Sequence, residues 1–235
     1  MSGTMRVRRG DERGITDLGW LNSYHSFSFA DYYDPDWMGF SVLKVLNDDL
    51  VAPGKGFATH RHRDMEIISY VLSGALAHQD DTGGVLELEA GQVQHMSAGT
   101  GIAHSEHNPS QGDDCHFFQI WIEPHARGIA PAYQQAPAGA TPVHGPWGLL
   151  AAPDGEGGSL VIQQDARLYR SHLGVGDGAP FSPKPGRNVY LHVATGCAEV
   201  NGVHLVAGDG AAIADAQRVA VAAVDESEVL LFDLP

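Results

Sequence analysis

Four residues with metal-binding side chains occur as two pairs, His60 with His62 and His104 with Glu106. Within each pair the spacing is i, i+2, and alternate side chains of a β-strand point to the same face. Two such strands side by side would bring three imidazoles and one carboxylate to a single point. This ligand set suits a divalent first-row metal and leaves coordination positions open. A metal with open positions is typical of catalysis rather than of structural support.

The same residues suggest catalytic roles. A metal held by three neutral imidazoles and one carboxylate keeps about one net positive charge, so it can bind a deprotonated enol or phenol oxygen and lower the pKa of that hydroxyl group. Glu106 is the candidate general base as well as a ligand, because a carboxylate beside the metal can take the substrate's proton. Glu66 is the reserve base and a candidate second-shell residue, since a ligating imidazole usually needs an acceptor for its other N–H.

Other polar and aromatic residues in this half are predicted to be structural. Three further histidines are expected to be solvated or hydrogen-bonded within the fold: His95, His107 and His116. His78 is expected to lie in a turn and to contact backbone. Gln119 and Trp121 share one strand face and could line a cavity, but core packing is the preferred interpretation. The aromatic segment 24–29 is likewise assigned to the core.

The composition limits the possible partners and the location of the protein. A formal net charge of −15 argues against direct binding to nucleic acid or to an anionic membrane, because the long-range field repels both. No stretch approaches the ~20 apolar residues of a membrane span. The N-terminal segment lacks the apolar region of a signal peptide, so we expect a cytoplasmic protein. Cys115 and Cys197 suggest neither a disulfide framework nor a zinc site.

Short apolar runs separated by turn-forming residues indicate an all-β fold. Strands are predicted for the runs Phe40–Leu46, Met65–Leu72 and Cys115–Pro124, near Val161 and Tyr190, and at Glu228–Pro235. The first run is expected to end in a turn at Asn47-Asp48-Asp49, and the second at Gly74. Strands at about ten-residue spacing predict a β-sandwich or barrel.

The chain is expected to divide into two domains. Residues 126–158 are rich in Pro, Gly and Ala, which predicts a linker between an N-terminal metal-binding domain, 1–125, and a C-terminal domain, 159–235. The second half repeats the order of strand, Gly turn, strand and Gly-Asp turn that is found in the first half, yet it lacks the paired histidines. Eight of the 13 histidines lie between His60 and His125. A duplicated fold with one working metal site is the simplest interpretation.

Two segments resemble known sequence motifs. Gly54–Gly74 has a Gly, five residues and His-x-His, then a Glu and a Gly, and Gly91–Asn108 ends with a His and an Asn. They resemble the two motifs of the cupin, a small double-stranded β-helix barrel that holds a metal in its mouth. The chain resembles the pirin family more closely, above all the bacterial members described as quercetin 2,3-dioxygenases. This likeness also includes the segments ADYYDPDWMGF, HQDDTG, FQIWIEP and EVLLFDLP, so it covers essentially the whole chain.

The resemblance implies an all-β bicupin of two jelly-roll barrels, of which only the N-terminal one binds metal. An ordinary cupin places its first-motif Glu one position later than Glu66, and a one-residue shift turns a strand residue to the opposite face. We therefore expect that Glu66 does not reach the metal directly and that Glu106 replaces it, as in pirins. Pirins usually have Pro between the paired histidines. This chain has Arg61 there, which is expected to point away from the metal.

The resemblance also implies a function. It predicts a metal-dependent dioxygenase that opens a flavonol or a related enol or phenol aromatic, with dioxygen as the second substrate. The cofactor is expected to be one divalent transition metal, Fe(II) first, although Ni, Cu, Mn, Co and Zn accept the same ligands. Animal pirins suggest the alternative of an iron-containing redox sensor or coregulator that binds a protein partner without catalysis. A metal-dependent isomerase or hydrolase and a vestigial metal site also stay open, since a fold does not fix a function.

Overall fold

The computed structural model describes residues 4–81, 85–136, 142–144 and 146–235, and within these residues it is almost entirely β-structure. The first half contains β1 Thr4–Arg8, β2 Gly14–Asp17, β3 Leu21–His25, β4 Leu43–Val51, β5 Gly56–His62, β6 Glu66–Ser73, β7 Ala75–Asp80, β8 Val85–Glu89, β9 Val93–Ser97, β10 Ile102–His107 and β11 Cys115–Ile122. The second half contains β12 Ala132–Ala136, β13 Pro142–His144, β14 Trp147–Ala152, β15 Leu160–Val161, β16 Arg167–Leu173, β17 Asn188–Thr195, β18 Cys197–Val200, β19 Val203–Val206, β20 Gly210–Ala214, β21 Val221–Ala223 and β22 Ser227–Leu234. Two 3-10 helices, Gly10–Glu12 and Glu156–Gly158, complete the described elements.

Each half forms a sandwich of two sheets around an apolar core. In the first half, seven strands in the order β12-β9-β6-β11-β4-β3-β2 face four strands in the order β5-β10-β7-β8. Leu88 and Phe117 belong to the core of this half. In the second half, a sheet in the order β1-β20-β17-β22-β16-β14-β13, with β15 beside β14, faces β19-β18-β21 around Leu205 and Leu231. The predicted all-β fold of two jelly-roll barrels is confirmed.

The two large sheets pack against each other. The side chains of β11 are buried on both faces of its sheet. Phe117 points into the first barrel, whereas Phe118 and Ile120 contribute to a core shared with Tyr190 and Phe232 of the second barrel. A strand that is buried on both faces has a nearly continuous apolar sequence. This explains the aromatic and β-branched run that predicted a buried strand here. The first barrel therefore shares part of its apolar core with the second.

The sheets connect the two halves more closely than a simple linker would. Strand β1 pairs with β20 of the second barrel, with Thr4 opposite Ala214. Within the predicted linker 126–158, β12 extends the first barrel beside β9 and β14 joins the second barrel beside β16. The Pro, Gly and Ala content of this segment does not prevent strand formation, because Trp147 and its neighbours gain burial in the core.

The domain boundaries 1–125 and 159–235 stay a prediction. Residues 137–141 and 145 lie outside the described residues, as do Thr82 and Gly83 of the HQDDTG segment.

The turn predicted at Asn47-Asp48-Asp49 is wrong, because these residues lie inside β4. Strand β4 is hydrogen-bonded to β3 on one side and to β11 on the other, and this pairing outweighs the turn preference of Asn and Asp. Alternation along the strand turns Asn47 and Asp49 into the first barrel, where they are 2% and 3% exposed. Two polar side chains are therefore buried where the sequence suggested a solvated loop.

His192 of β17 is a buried polar residue between the barrels. Its ring packs edge-on against Phe118 with 5.1 Å between ring centroids, and neither ring nitrogen has a hydrogen-bond partner among the described residues. Burial, helped by the charge of Arg13 and opposed by Asp48 and Asp209, lowers the pKa of His192 to about 3. Its pKa in the unfolded chain is about 6.5. Between these two pH values the unfolded chain binds more protons, so the free energy of unfolding falls as the pH falls.

Replacing His192 by leucine should therefore reduce the acid sensitivity of the fold. We expect the variant to be as stable as wild type or more stable at pH 7.5, because two unpaired buried nitrogens are removed. As the pH is lowered from 7.5 to 5, its advantage in unfolding free energy should grow by at most about 1.4 kcal/mol per pH unit. Urea unfolding of both proteins at a series of pH values measures this difference. A difference in unfolding free energy between the two proteins that does not change with pH would contradict the assignment of His192 as a buried, neutral histidine.

No helix within the described residues is long and apolar enough to cross a membrane.

Candidate metal centre

The two histidine-bearing strands are neighbours in the structure. The sequence predicted that β5 and β10 lie side by side, and the structure pairs them antiparallel, with His104 directly opposite His60 and Ile102 opposite His62. The register shifts between His104 and Glu106, because the partner of Glu106 is Phe57 rather than the residue that regular pairing would give. Such a bulge re-aims the side chains around it. The local geometry of Glu106 relative to β5 therefore differs from that of a regular ladder.

Three imidazoles meet between these strands. The ring centroids of His60, His62 and His104 are 4.5 to 4.9 Å apart. One ring nitrogen from each lies within 4.8 Å of the other two. His104 is buried, whereas His60 and His62 are half-buried. Nitrogens that share one metal at about 2.1 Å are roughly 3 to 4 Å apart. The three rings are thus close to the spacing that a common metal requires.

The hydrogen bonds of these rings leave lone pairs free for a metal. The Nδ1–H of His60 donates to the carbonyl of Ala58 at 2.9 Å, which leaves its Nε2 as the acceptor atom. Nδ1 of His104 lies 3.4 Å from Nδ1 of His78, and its buried Nε2 has no partner in the described part of the chain. Burial lowers the pKa of His62 and of His104 to about 4, so both rings are neutral at neutral pH. Neutral imidazoles with unpaired nitrogens are the form that metals bind.

Glu106 lies beside His104, and its carboxylate is held by three donors. Oε1 accepts from Ser69 Oγ at 3.0 Å and from Gln94 Nε2 at 2.7 Å, and Oε2 accepts from Gln119 Nε2 at 2.7 Å. Burial alone raises the pKa of Glu106, but His78 and His104 with the Ser69 hydroxyl lower it to about 2. The carboxylate is therefore ionised at neutral pH.

Glu106 is not part of the group formed by the three histidines, in which all ligand atoms lie within 4.8 Å of one another. Within the described residues, its oxygen groups with His78 and His104 instead. His104 is thus shared by two groups of possible ligands. The place of Glu106 as the fourth ligand of the metal stays a prediction.

His78 is a site residue that sequence reasoning missed. It lies in strand β7 rather than in a turn, is 1% exposed and packs against the ring of His104, with 5.1 Å between centroids. Its Nε2 is 3.2 Å from Asp80 Oδ2, and its Nδ1 faces His104 and lies 4.0 Å from Glu106 Oε1. Both nitrogens are thus engaged, which suits a residue that orients His104 better than one that binds metal. The i, i+2 spacing of His78 and Asp80 was the signal that could have revealed it.

Glu66 faces away from the centre. Its carboxylate accepts hydrogen bonds from His95 at 2.8 Å, from Ser97 Oγ at 2.6 Å and from the backbone N–H of Gln163 at 2.9 Å. These partners lie on the side of β6 that faces the second barrel, whereas Ser69 of the same strand points at Glu106. The expected absence of direct ligation therefore agrees with the geometry. The hydrogen bonds of Glu66 reach none of the three histidines, so this geometry gives its reserve role as a base or as an acceptor for a ligating ring no support, and that role stays a prediction.

A cavity of about 130 Å³ opens beside the three rings. His60, His62 and Glu106 line it, together with Gln119 and Trp121. Gln119 and Trp121 thus line the cavity, and Trp121 also packs against the apolar cluster of Ile67, Met96 and Ile102, as the core interpretation expects. The Trp121 ring packs edge-on against His62, with 5.0 Å between centroids, and forms an apolar wall next to the candidate ligands. Two of the three rings, together with Glu106, thus lie on the wall of a small, partly open cavity.

The support of Glu106 can be tested at Ser69. Removing its hydroxyl in Ser69→Ala takes away one of three donors, and loss of such a partner typically lowers metal affinity about 10- to 100-fold. Ser97→Ala is the matched control, because Ser97 makes the same kind of bond to Glu66 on the other face of the sheet. We expect titration with Ni(II) to show weaker binding for Ser69→Ala alone. Equal affinities for the two variants would argue against Glu106 as a ligand.

Comparisons with known proteins show which family the chain resembles. The family model described as Pirin matches residues 6–122, and the one described as Quercetinase C-terminal cupin domain matches residues 149–234. A relative from Escherichia coli K12 named quercetin 2,3-dioxygenase is 48% identical over 229 residues, which cover 97% of this chain and 98% of that protein. A pirin-like protein from Caulobacter vibrioides is 42% identical, with 95% and 96% coverage.

A solved structure extends the likeness to three dimensions. The crystal structure of the bacterial pirin YhhW from Escherichia coli, in complex with nickel(II), superposes with a TM-score of 0.93 at 46% identity. The match covers 99% of each chain. Sequence and fold thus agree over nearly the full length. The chain belongs to the pirin family.

Proposed function

We propose that this protein is a metal-dependent dioxygenase of the quercetin 2,3-dioxygenase type, which cleaves a flavonol or a related enol or phenol aromatic. The observation that carries the proposal is the meeting of His60, His62 and His104 beside a cavity that His60 and His62 line, with the buried Nε2 of His104 unpaired among the described residues. The 48% identity to a protein named quercetin 2,3-dioxygenase supports the reaction type. A small aromatic molecule and dioxygen are then its substrates.

The residues of the centre take distinct roles in this proposal. His60, His62 and His104 would hold the metal, and Glu106 would complete the set as a ligand. When bound, a divalent metal supplies Lewis acidity, which stabilises a substrate oxygen in its deprotonated form. Glu106 also remains our candidate for accepting the substrate proton, although its three hydrogen bonds already satisfy much of the carboxylate. Its ligand role is therefore the stronger of the two.

The cavity wall contributes by limiting water around the reacting group. Phe57, Leu21 and Trp121 supply apolar surface beside the candidate ligands. Exclusion of water strengthens electrostatic interactions within a site and protects reactive intermediates from side reactions. An electron-rich aromatic ring would be enclosed here next to Glu106. This enclosure suits an oxygenase better than a surface that only docks a protein.

The metal is proposed to be Fe(II), with Ni, Cu, Mn, Co and Zn as alternatives. Imidazole and carboxylate ligands accept all of these ions. The nickel(II) complex of the related YhhW supports the choice of nickel as a practical probe. Metal analysis of protein purified without a histidine tag identifies the resident ion.

Oxygen uptake tests the reaction. Protein loaded anaerobically with Fe(II) or Ni(II) should consume oxygen only after quercetin is added, in equimolar amounts and with release of carbon monoxide. A flavone that lacks the 3-hydroxyl group is the matched control, and we expect no uptake with it. Uptake that does not depend on a flavonol would instead support a redox sensor that acts through a protein partner. No uptake with any loaded metal would refute the proposal.

A further inference from the structure

A second group of polar residues lines the same cavity. Strands β3 and β4 contribute Ser23, His25, Asn47 and Asp49, each only 2% to 3% exposed. Buried polar groups are normally hydrogen-bonded, so the partners of each can be counted. The mechanism proposed above uses none of these four residues.

Ser23, His25 and Asn47 form one hydrogen-bonded group, and Ser23 also hydrogen-bonds the carboxyl group of Asp49. His25 lies between Thr16 Oγ1, 2.9 Å from its Nε2, and Asn47 Oδ1, 2.9 Å from its Nδ1. Ser23 Oγ is 3.4 Å from the same Nδ1. Asp49 differs, because its buried Oδ1 has no hydrogen-bond partner within the part of the chain that the structure describes. A carboxyl oxygen left unpaired in a cavity is available to a ligand.

The surroundings of Asp49 make both of its protonation states accessible. Burial is the main cause that raises its pKa to about 7; the negative charges of Asp48 and Glu106 add to this, while Ser23 and His116 oppose it. The carboxylate can accept a hydrogen bond from a hydroxyl group, and the acid can donate one. A hydroxylated ligand therefore matches this group in either state.

The cavity volume limits the part of the ligand that enters. Its volume of about 130 Å³ is well below the ~300 to 1,000 Å³ of pockets that enclose drug-sized ligands. A cavity of about 150 Å³ in another protein holds a single benzene ring. The apolar wall formed by Phe29 and Trp121, which pack edge-on with 5.4 Å between ring centroids, suits an aromatic ring. One ring of a larger aromatic molecule is thus the expected occupant.

We propose that Asp49 determines specificity: its carboxyl group hydrogen-bonds a hydroxyl group of the aromatic ring that enters the cavity. This deepens the proposed function and rests on it, since the same cavity receives the substrate. The ligand class is a hydroxylated aromatic that carries a second hydroxyl group, within reach of Asp49, besides the one directed at the metal. An analogue with a methyl group in place of that hydroxyl leaves Oδ1 of Asp49 unpaired and binds less tightly.

Binding of matched pairs of small ligands tests this role. The probes are catechol, resorcinol and hydroquinone, each compared with the cresol in which methyl replaces one hydroxyl at the same position. Calorimetric titration of Ni(II)-loaded wild type should show about tenfold tighter binding of the diol for at least one pair. Asp49→Ala should reduce this preference to below about twofold, whereas Asp49→Asn should keep part of it, because the amide still forms hydrogen bonds.

Controls separate recognition from a structural role. Asp48→Asn changes the neighbouring carboxylate, which pairs with Arg13 and His116, and should keep the wild-type preference. Asp49→Asn should melt at the wild-type temperature or higher, because a neutral amide avoids the cost of burying a carboxylate charge. An unchanged diol preference in folded, nickel-loaded Asp49→Ala would overturn the inference. So would a failure of both Asp49 variants to fold, since Asp49 would then be structural.

The binding experiment is independent of turnover. If wild type prefers a diol through Asp49 but consumes no oxygen with flavonols, the specificity role stands and the dioxygenase proposal fails. If oxygen uptake with quercetin is observed but the diol preference is absent or does not depend on Asp49, the dioxygenase proposal stands and the inference fails.

Discussion

Replacing His62 by alanine is expected to abolish tight metal binding and flavonol turnover together. His62 is one of three rings whose nitrogens converge within 4.8 Å, and loss of one leaves two histidines, with Glu106 as the proposed further ligand. Loss of a residue that only supports a ligand typically lowers metal affinity about 10- to 100-fold, so loss of a ligand should exceed that range. Nickel titration and oxygen uptake with quercetin measure the two effects. His62 is half-buried, and the fold should therefore survive.

The neighbouring Arg61 supplies the matched control for His62. It lies between the two histidines on β5, and its side chain is exposed. Alternation along the strand turns it to the face opposite His60 and His62. Arg61→Ala should keep wild-type metal affinity and turnover. If His62→Ala retained full nickel affinity, or if Arg61→Ala lost it, the assignment of the ligands would be wrong.

Glu106→Gln is expected to lose turnover while keeping most of the fold. The substitution removes the negative charge beside His104 and turns an NH₂ group toward donors that now contact a carboxylate oxygen. At least one buried donor then lacks an acceptor, at a cost of about 1–3 kcal/mol in stability. Metal affinity should fall as well, since a neutral amide is a weaker ligand than a carboxylate. Nickel titration, oxygen uptake and urea unfolding separate these effects.

Glu66→Gln tests whether the loss is specific to the centre. Glu66 is equally buried and also accepts three hydrogen bonds, but on the face of β6 away from the histidines. We expect a similar loss of stability with unchanged metal affinity and turnover. Wild-type turnover of a flavonol by Glu106→Gln would refute the role of Glu106. Equal losses of activity in both variants would show that the effect is structural.

Sequence spacing predicted the part of the centre that depends on strand geometry alone. The i, i+2 pairs must share a face in any strand, and the cupin-like order of the two segments required β5 and β10 to be neighbours. The structure adds the register, in which His60 lies opposite His104. The opposite orientation of Glu66 followed from the same alternation. These features needed no knowledge of packing.

Features that depend on packing were beyond local sequence patterns. Asn47 and Asp49 have the composition of a turn, yet pairing of β4 on both sides keeps them in a strand and buries them in the cavity. His78 was also assigned to a turn because of the polar residues around it, although it lies in β7. The register shift between His104 and Glu106 is not visible in the spacing, although it decides how the carboxylate approaches the three rings. Polar residues inside a barrel therefore resemble a loop until its pairing is known.

The location of a bound metal tests the central claim most directly. An anomalous difference map from a crystal of the protein loaded with Ni(II) should show one peak at about 2.1 Å from a nitrogen of each of His60, His62 and His104, with a carboxylate oxygen of Glu106 completing the set. A peak held by His78, His104 and Glu106, with His60 and His62 unbound, would contradict the account. So would the absence of any peak between the three rings.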